Sequence, residues 1–325
     1  MNAQRIGSPS ERIDRARQDS EAKQTLTENG VSIVLGTYNR RSFLKTTIES
    51  VRKELTTCGF PHEIVVIDGG SSDATLPWLL KQKDVTLILQ HNRGTWHGAP
   101  IERRSWGHFM NIAFRATCGK FICMISDDCL IVPGSLRNAF QLFQKLLTSG
   151  RKIGSMAFYW RNWPTGKNYF VGVTLGHTIL LNHGLYLRSA LEDVGFIDEK
   201  TFMFYCADGD LCLRLRAKGY ECVDSKASYI EHFGHANPDA RSENQKYAET
   251  DWLNYVEKWK GAYDLPEVSE QKIERAYEDL EMTYREFPRA VHRRLRFAAM
   301  ASSLRRVRQI AISLLRHGDP NSRSR

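Results

Sequence analysis

Short apolar runs alternate with amphipathic segments through the first 130 residues of the chain. Four runs rich in β-branched or other apolar residues, at 31–35, 63–67, 85–89 and 120–125, predict buried strands. Apolar residues at helical spacing lie between these runs, beginning with a helix that Ser42 can cap. Strands separated by helices predict βαβ units, and therefore an α/β fold with a parallel sheet covered by helices on both faces.

Polar residues follow three of these predicted strands. Thr37 comes after the first strand, Asp68 after the second, and Asp127 and Asp128 after the fourth. Because ligands of open α/β sheets bind beyond the carboxyl ends of the strands, these positions are candidates for a site. Two adjacent carboxylates repel each other unless donors or a cation neutralise them, and a divalent ion that bridges a diphosphate would do so. The alternative interpretation is an ordinary solvated turn.

A second acidic cluster, Asp208 and Asp210, stands at the start of an amphipathic helix that ends near Gly219. Carboxylates in a first turn are favoured by the helix dipole, and Asp210 is also placed to pair with Arg214 one turn later. A carboxylate at this place could instead accept a proton from an attacking hydroxyl. The residues alone leave both the structural and the catalytic interpretation open.

Histidines and cysteines give only weak metal signals when they are considered singly. His232 and His235 follow another apparent strand, and either imidazole can bind a metal, although an isolated histidine is more often structural. The seven cysteines include no C-x-x-C pair, so neither a zinc ribbon nor a thioredoxin-like site is predicted. Free thiols in a reducing, cytosolic setting are expected.

The chain divides into a polar leader, a folded body and a C-terminal extension. Residues 1–30 carry no apolar segment typical of a secretory signal and are predicted to be a mobile leader. Residues 31–260 are predicted to be the folded domain, and 261–325 a helical extension. A hydrophobic content of 42% with 26% charged residues excludes a fully disordered chain and a disulfide scaffold. No apolar run approaches ~18 residues, so no membrane-spanning helix is expected.

Most of the net charge of +9 belongs to the extension. Residues 286–325 contain ten arginines and only two acidic residues. Met300, Leu304 and Val307 recur at helical spacing among these arginines, which predicts an amphipathic helix that binds an anionic membrane surface through residues 289–316. The alternative is a helix packed on the domain with its arginines solvated. Nucleic acid is not an expected partner, because no recognition motif or aromatic-rich basic strand accompanies the arginines.

In their order and spacing, the motifs of the body resemble those of the family 2 glycosyltransferases of GT-A fold, in particular bacterial rhamnosyltransferase-like members. The segments that carry this resemblance are Val31–Arg40, Glu63–Thr75, Gly119–Asp128, Gly184–Arg188, Val194–Asp198, Asp208–Tyr220 and Glu257–Trp259. Together they span about residues 31–260. The resemblance implies a Rossmann-like, mostly parallel central sheet flanked by helices, followed here by the helical extension.

The resemblance also implies an activity, namely inverting transfer of a hexosyl or deoxyhexosyl group from a nucleotide-diphosphate donor to an acceptor hydroxyl. By position, Asp208 is the expected general base, and Asp128 and His232 are the expected ligands of Mn²⁺ or Mg²⁺. The residues expected to bind the donor are Thr37, Tyr38, Arg40, Asp68, Asn111 and Asp127. Because the Asp68 carboxylate can accept from the N3–H of uracil or thymine, a UDP- or dTDP-sugar is favoured.

The acceptor implied by the resemblance is a carbohydrate or a lipid-linked sugar, in the synthesis of a bacterial polysaccharide or glycolipid. Such an enzyme is expected to be cytoplasmic and peripheral on the inner face of the cell membrane. Binding of residues 289–316 to that face would fit this location.

The chain departs from the family pattern at three places. Ala207 precedes Asp208 where a glutamate is usual, Ser126 and Cys129 flank the two aspartates where another Asp or Asn is common, and Arg103–Asn111 replaces a segment of small residues. An inactive relative, or a non-catalytic adaptor that binds a membrane or nucleic acid, is therefore an alternative. A nucleotidyltransferase is another, although the loop after the first strand lacks the Gly- and Arg-rich sequence that such an enzyme needs.

Overall fold

The computed structural model of the chain describes residues 20–162, 166, 168–233, 238–263 and 271–275. The helices are α1 (20–29), α2 (Arg41–Leu55), α3 (Thr75–Leu79), α4 (Trp106–Ala116), α5 (Ser135–Thr148), α6 (Arg188–Asp193), α7 (Ala207–Ala217), α8 (Pro238–Gln245) and α9 (Ala248–Trp259). The strands are β1 (Val31–Thr37), β2 (His62–Asp68), β3 (Val85–Leu89), β4 (Thr95–Trp96), β5 (Ala99–Pro100), β6 (Phe121–Met124), β7 (Cys129–Ile131), β8 (Ile153–Asn162), β9 (Tyr169–Thr174), β10 (Thr178–Leu180), β11 (Gly184–Leu187), β12 (Glu221–His232) and β13 (Gln271–Arg275). The four strands predicted for the first half of the chain are confirmed as β1, β2, β3 and β6.

One mixed sheet connects eleven of the described strands, and β4 and β5 pair separately. Strands β3, β2, β1 and β6 are parallel neighbours, with Thr37 opposite Asp68 and Val34 opposite Met124. The carboxyl ends of β1, β2 and β6 therefore meet at one edge, as the strand pattern predicts. Beyond β6 the sheet continues with antiparallel β11, β8, β9 and β10, while β12 runs parallel to β8 and antiparallel to β7.

Helix α2 follows β1 and buries the predicted apolar face, including Leu44, Ile48 and Val51. The prediction that Ser42 caps this helix is wrong, because the helix begins one residue earlier, at Arg41. The N–H of Arg41 donates to the carboxylate of Asp73 at 3.0 Å, so a loop beyond β2 satisfies the helix start. A contact between residues 32 positions apart is invisible to a local capping pattern.

The two ends of the body differ from the predicted boundaries. Residues 20–29 belong to the predicted mobile leader but form α1, where the Leu26 carbonyl accepts from the N–H groups of Gly30 and Lys120. Residues 271–275 were predicted to be helical but form β13, because their backbone pairs with β9. The predicted membrane-binding segment 289–316 lies outside the described residues. Within the described part, no helix has the length and apolarity needed to cross a membrane.

Candidate active site

A cavity of about 200 Å³ lies at the carboxyl edge of the parallel strands. Four of the predicted donor-binding residues line it, namely Thr37, Tyr38, Arg40 and Asp127. The remaining lining comes mainly from α4, from the loop before α4 and from the loop after β6. The other predicted site residues lie outside this lining, and their contacts indicate what each of them can do.

Arg40 joins the two aspartates that follow β6. Its Nη1 donates to Asp127 Oδ1 and to Asp128 Oδ2, both at 2.8 Å, and Thr37 Oγ1 donates to Asp127 Oδ2 at 2.7 Å. Burial opposes the charge on the guanidinium, but the two carboxylates outweigh this effect and raise the pKa of Arg40 above its usual value. One permanent cation therefore holds both aspartates at the cavity.

The two aspartates differ in electrostatics although they are neighbours in sequence. Burial raises the pKa of the Asp127 carboxyl, and the charge of Arg40 offsets only part of that rise. Burial also acts on Asp128, but the charges of His232 and Arg40 prevail and lower its pKa to about 2. Asp128 is thus ionised at neutral pH. Its Oδ1 is buried, has no hydrogen-bond partner among the described residues, and lies 3.4 Å from His232 Nε2.

His232 lies in a cluster with two residues that sequence reasoning did not assign to the site, Cys129 and His183. Ligand atoms of these three side chains all lie within 4.8 Å of one another. Cys129 Sγ is 3.9 Å from each ring nitrogen of His183, and His232 Nδ1 is 3.3 Å from Asn162 Oδ1. Burial lowers the pKa of His183 to about 3, so this imidazole is neutral at physiological pH. A motif search misses the cluster because its members come from three separate segments.

Asp68 ends β2 and organises the loop that follows. Its Oδ1 accepts from the N–H groups of Gly70 and Ser71 at 2.9 and 2.7 Å. Its Oδ2 is buried and has no hydrogen-bond partner among the described residues, while the next residue, Gly69, lines the cavity. One carboxylate oxygen is therefore left unsatisfied by the described residues, next to a residue of the cavity wall.

Asp208 and Asp210 are both in the first turn of α7, as predicted. They differ in their hydrogen-bond and ion-pair partners, which indicates different roles. Asp210 accepts from Arg214 at 2.7 Å and pairs with Lys258 at 2.8 Å, so it belongs to an ion-pair network. Asp208 has no cationic partner in the described part of the chain. It accepts from Asn182 Nδ2 and from the N–H of Gly209, both at 2.9 Å, and burial raises its pKa. Asn182 also lines the cavity, so the Asn182 side chain links Asp208 to the cavity.

Asn111 has a different position from the one that the sequence predicts for a donor-binding residue. It is fully buried in α4, and its amide both donates to the Ile197 carbonyl at 2.8 Å and accepts from the Ile197 N–H at 3.0 Å. A further bond from Nδ2 reaches Glu199 Oε1 at 2.8 Å. Both ends of this amide are used within the protein, so Asn111 fixes the segment before α7. Other α4 residues, Trp106, Phe109 and Met110, line the cavity instead.

Arginines before β4 and after β5 make the cavity basic, and sequence reasoning did not assign them to the site. Arg93, Arg103 and Arg104 line it together with Arg40. Arg93 and Arg103 both donate to Asn244 Oδ1 of α8, and Arg93 also pairs with Glu243. Burial and the neighbouring Arg93 lower the pKa of Arg103. The departure from small residues over Arg103–Asn111 is the sequence signal that could have pointed to Arg103 and Arg104.

Comparison with known proteins identifies the family of the chain. The family model for glycosyl transferase family 2 matches residues 32–204, which is just over half of the 325 residues. The chain belongs to glycosyl transferase family 2. The predicted family is thereby confirmed, and so is the predicted α/β, GT-A fold class. Residues 32–204 are therefore a family 2 glycosyltransferase domain.

Among curated proteins, this family 2 glycosyltransferase is similar to the O-antigen chain rhamnosyltransferase RfbN of Salmonella typhimurium. The two are 20% identical over 245 residues, which cover 70% of this chain and 74% of RfbN. It is also 23% identical over 267 residues to the uncharacterized protein y4gI of Sinorhizobium fredii, with 71% of this chain covered. The match spans only 27% of the length of y4gI.

Similar solved structures include a mannosyltransferase and TarS. The mannosyltransferase PcManGT from Pyrobaculum calidifontis, in complex with GDP-Man and Mn²⁺, is 16% identical, with a TM-score of 0.48 over 70% of this chain and 64% of that one. TarS of S. aureus is 18% identical, with a TM-score of 0.49 over 72% of this chain and 40% of that one.

Proposed function

We propose that the chain is an inverting, metal-dependent glycosyltransferase that moves a hexosyl or deoxyhexosyl group from a nucleotide-diphosphate donor to an acceptor hydroxyl. One observation carries the proposal. The ionised Asp128 has a buried oxygen that lacks a hydrogen-bond partner among the described residues and lies 3.4 Å from His232 Nε2, beside a basic cavity that Asp127 and Arg40 line. Such a place suits a divalent ion and the anionic diphosphate of a donor.

The residues present fit the expected ion. A carboxylate oxygen without a donor and an imidazole nitrogen 3.4 Å away are both metal ligands, and the Asn162 carbonyl can accept from the other ring nitrogen of His232. Asp128 and His232 would hold Mn²⁺ or Mg²⁺. When bound, the ion would supply positive charge against the diphosphate that departs. Asp127 is already engaged by Thr37 and Arg40, so its part is to fix the arginine at the cavity.

Donor binding follows from the charges of the cavity. Four arginines line it, Arg40, Arg93, Arg103 and Arg104, and guanidinium groups are well matched to phosphate oxygens. Asp68 would accept from the N3–H of uracil or thymine, so a UDP- or dTDP-sugar is the proposed donor. Tyr38, whose ring lies under Arg93 at 5.4 Å, would line the nucleotide site.

Asp208 is the proposed general base. In the transfer, the acceptor oxygen bonds to the anomeric carbon, the bond to the diphosphate oxygen breaks, and Asp208 takes the hydroxyl proton. A single displacement of this kind inverts the anomeric configuration. The raised pKa of Asp208 strengthens it as a base, and Asn182 orients its carboxylate toward the cavity side.

The proposed acceptor is a carbohydrate or lipid-linked sugar of a bacterial polysaccharide or glycolipid. Similarity to an O-antigen chain rhamnosyltransferase supports this class of acceptor and a deoxyhexosyl donor. Work on a lipid-linked acceptor would take place in the cytoplasm at the inner membrane face, where residues 289–316 would bind anionic lipid. Flotation with anionic liposomes tests this part, and a chain truncated after Pro288 that floats as well as the full chain would contradict it.

Two measurements test the catalytic proposal. A thermal-shift screen of nucleotide sugars with Mn²⁺ identifies the donor, because a bound donor raises the melting temperature. Release of nucleoside diphosphate from that donor should then fall at least about a hundredfold in Asp128→Asn, since loss of the ion costs several kcal/mol of transition-state stabilisation. Asp84→Asn, an exposed aspartate paired with Arg52, is the control. If no donor binds and none is turned over, the chain is a non-catalytic adaptor.

A further inference from the structure

We propose that Cys129, His183 and His232, completed by Asp128, form a metal site with a sulfur and nitrogen ligand set, and that this site binds Zn²⁺ in preference to Mg²⁺. The inference rests on the proposed function, because Asp128 and His232 belong to both. It adds two ligands, Cys129 and His183, and Zn²⁺ at this site would compete with the Mn²⁺ or Mg²⁺ of the proposed function for Asp128 and His232.

The sheet itself brings two of the ligands together. In the antiparallel pairing of β7 with β12, His232 lies directly opposite Cys129. Side chains at directly opposed positions start from Cβ atoms about 5 Å apart, so strand register holds this pair. His183 joins them from the residue before β11, where its carbonyl accepts from the Phe158 N–H at 2.8 Å. Ligand atoms of the three side chains consequently lie within 4.8 Å of one another.

The rings are also fixed in orientation. The Trp160 ring packs edge-on against His183 and His232, with centroid distances of 5.9 and 5.3 Å. On the β8 side, Asn162 lies opposite His232 in the parallel pairing of β12 with β8, and its Oδ1 is 3.3 Å from His232 Nδ1. If the ring N–H donates to this oxygen, the other nitrogen is left as a ligand, which is the usual outer support of a metal-bound histidine.

Buried polar atoms without proper partners meet at this cluster. His183 is only 3% exposed, and among the described residues its ring nitrogens have no hydrogen-bond partner except the Cys129 sulfur at 3.9 Å. Asp128 Oδ1 is likewise buried and without a donor, 3.4 Å from His232 Nε2. Buried polar groups are normally satisfied, and one bound cation would satisfy the imidazole, the thiolate and the carboxylate together.

The ligand chemistry selects the ion. A thiolate and two imidazoles suit Zn²⁺, whereas Mg²⁺ requires oxygen ligands in an octahedral arrangement. Bonds of ~2.3 Å to sulfur and ~2.0 Å to nitrogen would bring the ligand atoms to about 3.5 Å from one another. Side-chain movements of about 1 Å reach that spacing from the present one, so the site needs no change of backbone.

Cobalt spectroscopy on the full chain tests the site without using activity. After removal of ions with a chelator, Co²⁺ is added, because it occupies zinc sites and reports thiolate ligation by a charge-transfer band in the near ultraviolet. We expect this band, together with intense tetrahedral ligand-field bands, in the wild type and in Cys118→Ser, a half-buried cysteine elsewhere in the chain. Cys129→Ser should lose the charge-transfer band, and Zn²⁺ should displace Co²⁺ from the wild type.

Competition with a chromophoric chelator measures the Zn²⁺ affinity. We expect it to fall at least about tenfold in Cys129→Ser and in His183→Gln, because even the loss of a residue that only hydrogen-bonds to a metal ligand lowers affinity by that factor. Circular dichroism checks that both variants fold. If they do not fold, X-ray absorption of the Zn²⁺-loaded wild type tests the ligand set instead, and we expect one sulfur at ~2.3 Å from the zinc. A shell of oxygen and nitrogen alone, or an unchanged affinity in both folded variants, overturns the proposal.

These outcomes separate the inference from the proposed function. Donor turnover with Mn²⁺ that survives Cys129→Ser, in a protein without a thiolate band, would refute the zinc site and leave the glycosyltransferase mechanism intact. A thiolate band and tight Zn²⁺ binding in a protein that turns over no donor would refute the proposed function and support the site.

Discussion

Arg161 and Glu231 form an ion pair that is almost completely removed from solvent. Their side chains are 2% and 0% exposed, and Arg161 Nη2 lies 2.6 Å from Glu231 Oε1. The two residues are cross-strand partners on β8 and β12. The next residues along these strands are Asn162 and His232, which also face each other. The ion pair therefore stabilises the pairing of β8 with β12 directly beside His232, which lies in the candidate site.

We expect Glu231→Gln to destabilise the protein by about 3–5 kcal/mol, because it leaves the guanidinium buried without a counter-charge. Chemical denaturation monitored by circular dichroism measures the free energy of unfolding. The matched control is Asp84→Asn, which makes the same carboxylate-to-amide change in the partly exposed pair with Arg52 and should cost at most about 1 kcal/mol. Equal losses in the two variants would show that the buried pair does not anchor the strands.

The acid side of the pH–rate profile should report Asp208. Burial raises the pKa of this carboxyl above 3.8, and a general base works only when it is ionised, so kcat/KM should fall as the pH drops below the raised pKa. Asn182 donates to the ionised form and lowers the pKa, so Asn182→Ala should shift this limb to higher pH. Loss of a hydrogen bond to a charged group is worth ~1.5–3 kcal/mol, or about one to two pH units.

Steady-state donor turnover between acidic and neutral pH measures this shift. Asn138→Ala removes an amide of the same type, bonded to the Ala227 carbonyl, and should leave the profile in place. If Asn182→Ala lowers the rate equally at every pH, Asn182 does not act through Asp208 and the assignment of the base fails.

The parts of the site that follow from strand ends were predictable, and the parts that depend on the second half of the sheet were not. Thr37 and Asp68 end β1 and β2, and Asp127 follows β6; a short apolar run with polar residues at its end is a local signal. His183 reaches Cys129 across 54 positions, from a short loop whose sequence has no distinctive pattern. The pairing of β12 with β7 places His232 opposite Cys129, and the bond from the Phe158 N–H of β8 holds His183; both depend on tertiary packing and not on propensity.

Arg40 illustrates the same limit inside a recognised motif. Its place after β1 suggested contact with a donor, but its salt bridges to Asp127 and Asp128 depend on residues almost ninety positions away. From the sequence alone, either hydrogen-bond donors or a cation could neutralise the two adjacent carboxylates. In the structure the arginine neutralises one oxygen of each, which leaves Asp128 Oδ1 for other partners.

Arg103 should contribute more to donor affinity than its neighbour Arg104. Arg103 is half-buried over the Tyr247 ring and has no carboxylate partner among the described residues, whereas Arg104 is exposed and pairs with Glu102 at 3.3 Å. A charge-assisted hydrogen bond to a phosphate is worth ~1.5–3 kcal/mol, so Arg103→Gln should weaken donor binding by about tenfold or more. Arg104→Gln should cost less than about fivefold.

Titration calorimetry with the donor, repeated at two salt concentrations, measures both effects. The difference between the variants should grow as salt rises, because screening reduces the contribution of the exposed Arg104 and leaves that of the half-buried Arg103 nearly unchanged. Equal affinities for Arg103→Gln and the wild type would mean that the diphosphate does not reach this side of the cavity.

Asp68→Asn should reduce affinity for uridine or thymidine diphosphate. The amide oxygen can still accept from Gly70 and Ser71, so the loop is retained. The amide N–H₂ then takes the place of Oδ2, which has no hydrogen-bond partner among the described residues. The N3–H of the base would therefore face a donor where the wild type offers an acceptor. An unsatisfied buried pair of donors costs ~1–3 kcal/mol, so the dissociation constant should rise about five- to a hundredfold.

Calorimetry of the nucleoside diphosphate alone makes this test independent of turnover. Asp73→Asn, on the same loop, removes a carboxylate that accepts from the Arg41 N–H and serves as the matched control, with little change in affinity expected. If Asp68→Asn weakens uridine and guanosine diphosphates by the same factor, the residue supports the loop and does not read the base. A selective loss for the pyrimidine nucleotide means that the carboxylate at the end of β2 recognises the nucleobase, which is what its free oxygen predicts.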